Sequence, residues 1–411
     1  MRDRLVNALW GAFIGDALGM PTHWYYEPEE LSRDFPAGIA GYQAPPHPHP
    51  SSFLVGARYQ PGVETAENLG RRYDILQEHA RFYRTPYSHF GFATDAREAS
   101  HGNATSQDQD RYHYHHGLSA GENTLGADLL RVLLRSVTTH GGYSQQGFLG
   151  DFITFMTTPG ATRDPYRETY LRKWFEAYAS GTAPENCAEH QRHRWSIASH
   201  GGMVRPLALA LLTPDNPPLA TGMAVTHQQL THRSELVSAG VALFVPMLLR
   251  LINGAPFTPV LSEVAQLARR PQLTGEDLGR EYRDAKGPGN IEHERMWRMH
   301  MGYDGPAGEG RIDSDQALPG PYARACYPEH GIPLMLRIAH TNGGDFYRSL
   351  RANAETGGDT VHRGMILGML LGASEGIDES LQMGLVHYEA LNREIESFAD
   401  VALSGGGHLI V

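Results

Sequence analysis

The chain has 411 residues, 41% of them apolar and 20% charged, with a net charge of −11 and a sequence pI of about 6.0. This length and balance predict a soluble globular protein with a sizeable core and exclude a disordered chain. The acidic charge excludes general nucleic-acid binding, which needs a basic face, but it leaves open a local site for a nucleotide-like ligand. Because Cys187 and Cys326 are the only cysteines, no disulfide framework is expected, and the reducing cytoplasm is the expected location.

The N-terminal segment does not have the layout of a signal peptide, because two glycines and Asp16 interrupt its apolar run. The longest apolar stretch, residues 236–252, contains Pro246 and Arg250 and is predicted to be a buried core helix. The sequence therefore predicts no membrane association.

Apolar residues recur every three to four positions through most of the chain, which predicts helices and an all-α fold. The first helix is predicted over residues 2–19, before Pro21. No run of alternating strands and no fixed-length repeat is visible, so we expect a single domain over residues 1–411. Polar stretches predict long loops at about 36–60, 84–116 and 271–321. The later predicted helices cover residues 118–139, 148–156, 166–178, 202–212, 236–252, 332–339, 345–354, 363–373 and 378–398.

Glycine returns at every fourth position in two of these helices. The residues are Gly11, Gly15 and Gly19 in the first helix and Gly364, Gly368 and Gly372 in a late one. Glycine inside a helix costs about 1 kcal/mol relative to alanine, so two such stripes indicate close approach of helix backbones. Tight core packing is the favoured explanation. We predict that the two striped helices touch, within the roughly 10 Å of ordinary helix packing.

Oxygen-donor side chains lie beside these helices. Asp16 is inside the first stripe, and Asp359 precedes the late helix, where a plain N-cap and a functional carboxylate remain open alternatives. Glu122, Asn123 and Thr124 precede another predicted helical stretch and offer the oxygens that hard cations such as Mg²⁺ bind. A capping cluster is the alternative explanation for that triplet.

The chain has 22 histidines, most of which need no functional explanation. His47 and His49 lie between prolines and are expected at the surface, whereas residues 113–116 either face solvent or line a pocket. The small residues of 195–206 precede a helix start, so their backbone N–H groups can face an anion. His232, which precedes the 236–252 helix, either donates to a phosphate or fills the core. No zinc signature, nucleophile elbow or Walker loop is recognisable.

Five motifs, in this order, resemble those of the ADP-ribosylglycohydrolase family, which includes dinitrogenase reductase-activating glycohydrolase and the J1 crystallins. They are Gly-Ala-Phe-Ile-Gly-Asp-Ala-Leu-Gly-Met-Pro at 11–21, the acid–amide–Thr helix start at 122–124, Ser-His-Gly-Gly-Met-Val-Arg at 199–205, Leu-Thr-His at 230–232 and Gly-Gly-Asp-Thr at 357–360. The resemblance runs from Leu5 to Ala373. It implies an orthogonally packed multi-helix bundle around a dinuclear Mg²⁺ site. It also implies hydrolysis of the bond that joins ADP-ribose to a protein side chain or another acceptor.

Several motif positions depart from the family pattern. The family has a glutamate where this chain has His23, and an asparagine where it has His200. The first metal block, Thr-Asp-Asp-Thr in the family, is Gly-Glu-Asn-Thr at 121–124. The last block, Asp-x-Asp-Thr in the family, is Asp-Thr-Val-His at 359–362. Among the five usual metal ligands only Asp359 is retained as the same residue. Losing carboxylates weakens the binding of hard cations, so one Mg²⁺ ion or none is expected, rather than two.

An active hydrolase with a rearranged centre is the favoured reading, because the replacements are polar and capable of chemistry. Cleavage through an oxocarbenium-like state needs a base for water, and a histidine that titrates near neutrality can take that role. The predicted catalytic residues are Glu122, Asp359, His23 and His362, the predicted substrate-binding residues are Ser196, Ser199, His200, His232, Asn123 and Thr124, and the predicted metal ligands are Glu122, Asn123 and Asp359.

The substrate expected from the resemblance is an ADP-ribose-containing or ribosyl small molecule or a modified protein. The alternative is an inactive family member that binds an ADP-ribose-like nucleotide or has a structural role, because a fold can outlive its chemistry.

Overall fold

All regular secondary structure is helical in the residues that the computed structural model describes, which are 1–52, 54–83, 111–189, 199–268 and 324–404. Ser196, most of the predicted loop at 84–116 and the whole of that at 271–321 lie outside these residues. The α-helices are α1 (Arg2–Gly19), α2 (Pro28–Asp34), α3 (Val63–Asn68), α4 (Leu125–His140), α5 (Gln145–Met156), α6 (Thr169–Ala179), α7 (Val204–Ala210), α8 (Pro217–Gln229), α9 (Glu235–Ile252), α10 (Phe257–Ala268), α11 (Pro328–Thr341), α12 (Phe346–Thr356), α13 (Thr360–Ser374), α14 (Glu379–Met383) and α15 (Tyr388–Leu403).

The all-α prediction is confirmed, and the differences are in helix ends and in four helices that the sequence analysis did not predict. The helix predicted from residue 118 begins only at Leu125, because Gly121 has a φ of +77° and Thr124 is the N-cap. The helix predicted over 378–398 is divided into α14 and α15. The sequence analysis missed α2, α3, α8 and α10. For α8 a start signal was present, since the Asn216 side chain caps the helix and prolines occupy its first turn.

The two glycine-striped helices, α1 and α13, pack against each other in antiparallel directions, which confirms the predicted contact. A Cβ atom added at Gly11 would lie 1.9 Å from the carbonyl oxygen of Gly368, and one added at Gly15 would lie 2.0 Å from that of Gly364. Backbones this close leave no room for any side chain at these positions. The same alignment places Gly19, at the end of α1, beside Thr360, at the start of α13, and the Thr360 hydroxyl donates to the Gly19 carbonyl oxygen at 2.6 Å.

Helix α9 lies in the core, as the sequence predicts. In the part of the chain that the structure describes, it is the one helix long and apolar enough to cross a bilayer by length and composition. Its Val237, Phe244 and Leu248 side chains are fully buried among the other helices. Burial on this scale is typical of a core helix.

Candidate active site

Asp359 is a fully buried carboxylate at the junction of α1 and α13. It is the N-cap of α13, where its side chain accepts from the backbone N–H of His362 at 3.2 Å. The preceding Gly358 has a φ of +71° and accepts a hydrogen bond from the N–H of Trp24. This pairing holds the segment that follows α1 directly over Asp359. A buried carboxylate loses several kcal/mol of hydration unless partners compensate it, so its surroundings matter.

Three imidazoles surround this carboxylate. His23 Nε2 lies 3.2 Å from Oδ1 of Asp359, and His200 Nε2 lies 3.2 Å from Oδ2. His362 Nδ1 lies 2.9 Å from Oδ1. All four side chains are buried, and we call them the Asp359 centre. The structure thus brings together His23, Asp359 and His362, three of the four predicted catalytic residues, and adds His200.

His23 is held from behind by a hydrogen-bonded chain. Its Nδ1 atom lies 2.6 Å from Nε2 of His115, and the Nδ1 atom of His115 lies 2.9 Å from Oδ2 of Asp164. A carboxylate accepts hydrogen bonds, so the Nδ1 atom of His115 donates to Asp164. This chain fixes the His23 ring with its Nε2 atom facing Asp359. Burial lowers the pKa of His23 to about 3, which agrees with a neutral ring.

His362 lies between two carboxylates. Its Nδ1 atom contacts Asp359, and its Nε2 atom lies 3.3 Å from Oε1 of Glu168. Burial opposes a charge on this ring, but the two carboxylates raise its pKa well above the usual range. Burial also opposes the charge on Asp359, yet His362 and His200 hold the pKa of that carboxyl well below its usual value. The centre therefore contains a tightly coupled imidazolium–carboxylate pair when no other cation is bound.

Asp16, Asn123 and Thr124 form a second polar group, the Asp16 cluster. One oxygen of Asp16 accepts from the Thr124 hydroxyl at 2.6 Å, and the other accepts from Nδ2 of Asn123 at 2.9 Å and the N–H of Thr124 at 2.8 Å. The cluster adjoins the Asp359 centre, since a Cβ atom added at Gly126 would lie 3.3 Å from Nε2 of His362. Asn123 and Thr124 are predicted substrate-binding residues, and Asn123 is also a predicted metal ligand. In the structure both are hydrogen-bonded to Asp16.

Glu122, the fourth predicted catalytic residue, has different partners. Its carboxylate lies 2.8 Å from Nη1 of the half-exposed Arg163 and accepts from the N–H of Ser119 at 2.8 Å. Among the described residues, the group of acidic, histidine and cysteine side chains close enough to hold a metal ion is His23, Asp359 and His362, without Glu122. Glu122 therefore belongs to the motif that precedes α4, but its carboxylate is not part of the possible metal-binding group.

The turn before α7 supports the centre through its glycines. Ser199 caps this turn by accepting from the N–H of Gly201, and His200 follows it. A Cβ atom at Gly201 would lie 2.9 Å from the ring of His362, and one at Gly202 would lie 2.7 Å from the ring of His232. His232 is thus next to the turn but packs against Tyr170, with ring centroids 4.1 Å apart, in a buried position.

Sequence analysis missed the residues that orient the centre. Asp164 and Glu168 lie in no motif, and His115 stood in a polar stretch with no clear orientation. The expectation that His49 lies at the surface is wrong, because His49 is fully buried and its Nε2 atom lies 3.1 Å from the carbonyl oxygen of His23. The available signal was the density of histidines in residues 113–116, which suits a buried ring cluster as well as a solvated loop.

The donors at the Asp359 centre do not fit the two Mg²⁺ ions that the resemblance implies. Mg²⁺ prefers oxygen ligands in octahedral geometry, and the centre offers one carboxylate and three imidazoles. Glu122 is bonded to Arg163, and the buried Val361 has no donor atom. The Asp359 centre therefore lacks the oxygen ligands that a pair of Mg²⁺ ions needs.

Comparison with known proteins agrees with the fold and the motifs. A solved structure described as an ADP-ribosylglycohydrolase-related protein complex is similar to this chain with a TM-score of 0.53 and 15% sequence identity, over 98% of this chain and 99% of that chain. That similarity shows the fold. No curated protein sequence matches significantly. The family model of ADP-ribosylglycohydrolases matches residues 1–406, and the chain therefore belongs to the ADP-ribosylglycohydrolase family.

Proposed function

We propose that this family member is a glycosidic hydrolase that cleaves the bond between ADP-ribose, or a related ribosyl group, and an acceptor, and that the Asp359 centre is its active site. The observation that carries the proposal is the convergence of three imidazoles on one buried carboxylate. A site without function has no reason to keep a charged group there, since apolar residues of similar size avoid the loss of hydration.

The arrangement suits attack on an oxocarbenium-like ribosyl group. Such a reaction needs a negative group near the developing positive charge and a lone pair that receives a proton from water. Asp359 supplies the negative charge, and the low pKa of its carboxyl keeps it ionised. Of the two predicted bases, His23 is the better placed, because burial keeps its ring neutral beside Asp359, whereas His362 is protonated between two carboxylates.

Predicted substrate contacts at the other motif positions remain part of the proposal. Ser199 and His200 lie in the turn beside the centre, so they are the nearest candidates to contact a substrate phosphate or ribose. His232 is packed on Tyr170 and is a weaker candidate. Of the two outcomes that the sequence leaves open for magnesium, one ion or none, the donors favour none, because Asp359 is the one carboxylate at the centre and Mg²⁺ prefers oxygen ligands.

The experiment is turnover of ADP-ribosylated arginine and of simpler ribosides by wild type, Asp359→Asn and Asp151→Asn. Asp151 is a half-exposed aspartate on α5 and serves as the matched control. We expect Asp359→Asn to lower kcat by on the order of 10² to 10⁴, the usual cost of one catalytic group, and Asp151→Asn to be unchanged. Equal rates in all three proteins would disprove the active-site assignment. Tight binding of ADP-ribose without turnover of any substrate would support the inactive binding protein instead.

A further inference from the structure

We propose that the Asp359 centre binds a single first-row transition-metal ion of the Zn²⁺ type, with His23, Asp359 and His362 as ligands and His200 as a fourth donor. The binding site stands without the proposed activity, and only the role of the ion in activating water rests on it. This differs from the Mg²⁺ chemistry that the family resemblance implies and uses three histidines, His23, His200 and His362, at positions where the motifs have other residues.

The first argument is distance. One donor atom from each of His23, Asp359 and His362 lies within 4.8 Å of the others. The separations of 3.2 Å from His23 to Asp359 and 3.2 Å from His200 to Asp359 are those of neighbouring ligands. Two ligands that are each about 2.0 to 2.1 Å from a tetrahedral ion lie about 3.3 Å apart. His23, Asp359 and His362 therefore lie close enough to share an ion after small shifts, and His200, which is outside that group, needs a larger shift to become the fourth donor.

The second argument is that two buried ring nitrogens at the centre have no hydrogen-bond partner. His23 Nε2 and His200 Nε2 each lie 3.2 Å from an oxygen of Asp359. Both atoms are buried, and neither makes a hydrogen bond. An unpaired buried polar atom costs about 1–3 kcal/mol. A cation bound between these nitrogens and Asp359 gives each nitrogen a partner and removes that cost.

The third argument is the support behind the ligands. Metal-binding histidines usually turn their second nitrogen to a carboxylate or a carbonyl, which fixes the tautomer and strengthens the ligand. His23 is supported by His115 and Asp164, and the Nε2 atom of His362 faces Glu168 at 3.3 Å. Each imidazole thus faces Asp359 with one nitrogen. Its other nitrogen faces a carboxylate, directly in His362 and through His115 in His23. A purely structural pair of histidines has no need for this double arrangement.

The donor types select the class of metal. Imidazole nitrogens suit Zn²⁺, Fe²⁺, Ni²⁺ and Cu²⁺, whereas Mg²⁺ suits carboxylates, carbonyls and water. An ion of the first kind bound by three or four protein ligands would lower the pKa of a bound water towards 7, which supplies a nucleophile for hydrolysis.

The test measures metal binding directly in tag-free full-length protein. Zn²⁺ affinity is obtained by competition with a chromophoric chelator, metal content by elemental analysis, and ligand type from the visible absorption of Co²⁺-loaded protein. The variants are His23→Ala, His362→Ala and the supporting-residue variant His115→Gln. The control is His47→Gln, because His47 is exposed and lies outside the centre.

We expect one Zn²⁺ or Co²⁺ per chain, a tetrahedral-type Co²⁺ spectrum, and no displacement by Mg²⁺. His23→Ala and His362→Ala should weaken Zn²⁺ binding at least 100-fold, and His115→Gln should weaken it 10- to 100-fold, the usual effect of a residue behind a metal ligand. Folding of each variant is checked by circular dichroism, and His115→Gln, which removes no ligand, decides the question if an alanine variant fails to fold.

Three results would overturn the proposal: folded wild type that binds no Zn²⁺ or Co²⁺, equal Zn²⁺ affinity in wild type and all three variants, or loss of binding in His47→Gln instead. Failure of hydrolysis with intact metal binding would count against the proposed function alone. Hydrolysis that persists in protein shown to be metal-free would count against the metal alone.

Discussion

The Asp16 cluster and the Asp359 centre are neighbouring buried carboxylate sites whose bonding differs. Both oxygens of Asp16 accept hydrogen bonds from Asn123 and Thr124. Asp359 accepts from His362, but the two other histidine nitrogens that face it have no hydrogen-bond partner. Burial raises the pKa of Asp16 despite its donors, whereas the pKa of Asp359 is held low. A group whose polar atoms are all paired fixes the position of its neighbours, whereas unpaired ring nitrogens can bind a ligand.

The contact between α1 and α13 holds the two sites together, so breaking it should have the largest effect. In Gly15→Val the new side chain would meet the carbonyl of Gly364, whose oxygen is 2.0 Å from the position of an added Cβ atom. Backbone cannot yield as a side chain does, so we expect destabilisation on the order of 4 kcal/mol or more, seen as loss of the cooperative thermal transition. The control is Gly222→Ala in α8, where nothing lies within 4 Å of the added atom. An unchanged Tm in Gly15→Val would show that the helices do not pack in this way.

Asp16→Asn tests whether the Asp16 cluster is structural. The amide places an N–H group where a carboxylate oxygen accepts from Asn123 or Thr124, so at least one buried hydrogen bond is lost. We expect a loss of about 1–3 kcal/mol in the free energy of unfolding, measured by urea denaturation. Below the new Tm, kcat should remain within a factor of a few of wild type. A fall in kcat as large as that expected for Asp359→Asn would make Asp16 part of the active site and end the distinction between the two sites.

Glu122→Gln tests two opposed predictions about Glu122. The sequence predicts that it is catalytic, whereas its position in the structure predicts that it is not. If Glu122 is catalytic, Glu122→Gln should lower kcat about as much as Asp359→Asn does. Its carboxylate is instead paired with Arg163, whose side chain is 62% exposed, and ion pairs screened by solvent contribute about 0–1 kcal/mol. We therefore expect less than a tenfold change in kcat, and a similar small loss of stability in Arg163→Gln. A loss of 100-fold or more in Glu122→Gln alone would restore Glu122 to the catalytic set.

Sequence reasoning could reach the fold and part of the centre for physical reasons. The glycine spacing predicts the contact of α1 with α13 because only close backbones require bare helix faces, and this contact places His23 near Asp359. The orientation of His23 depends on Asp164, 49 positions from its bonding partner His115 and with no local pattern to mark it. The different surroundings of Glu122 depend on Arg163 in the same way. Long-range partners of single polar side chains leave no periodic trace in a sequence.

The smallest expected effect concerns acid stability away from both sites. His79 is buried, and its Nε2 atom lies 3.3 Å from the carbonyl oxygen of Thr162. Burial, together with the charge of Arg167, lowers its pKa from 6.5 to about 3. Below pH 6.5 the unfolded chain binds a proton that the folded chain does not, so this histidine stabilises the fold fully above pH 6.5 and loses that contribution as the pH falls towards 3.

His79→Gln removes this source of acid sensitivity and can still donate a hydrogen bond to the Thr162 carbonyl. We expect the fall in Tm between about pH 7 and about pH 4.5 to be smaller in the variant, since one such proton changes stability by up to about 1.4 kcal/mol per pH unit. The control is His140→Gln, at a partly exposed ring. Parallel Tm profiles for wild type and His79→Gln would mean that His79 is protonated without unfolding. A smaller fall in Tm in His79→Gln would allow the acid sensitivity that remains to be compared with that of variants of the Asp359 centre.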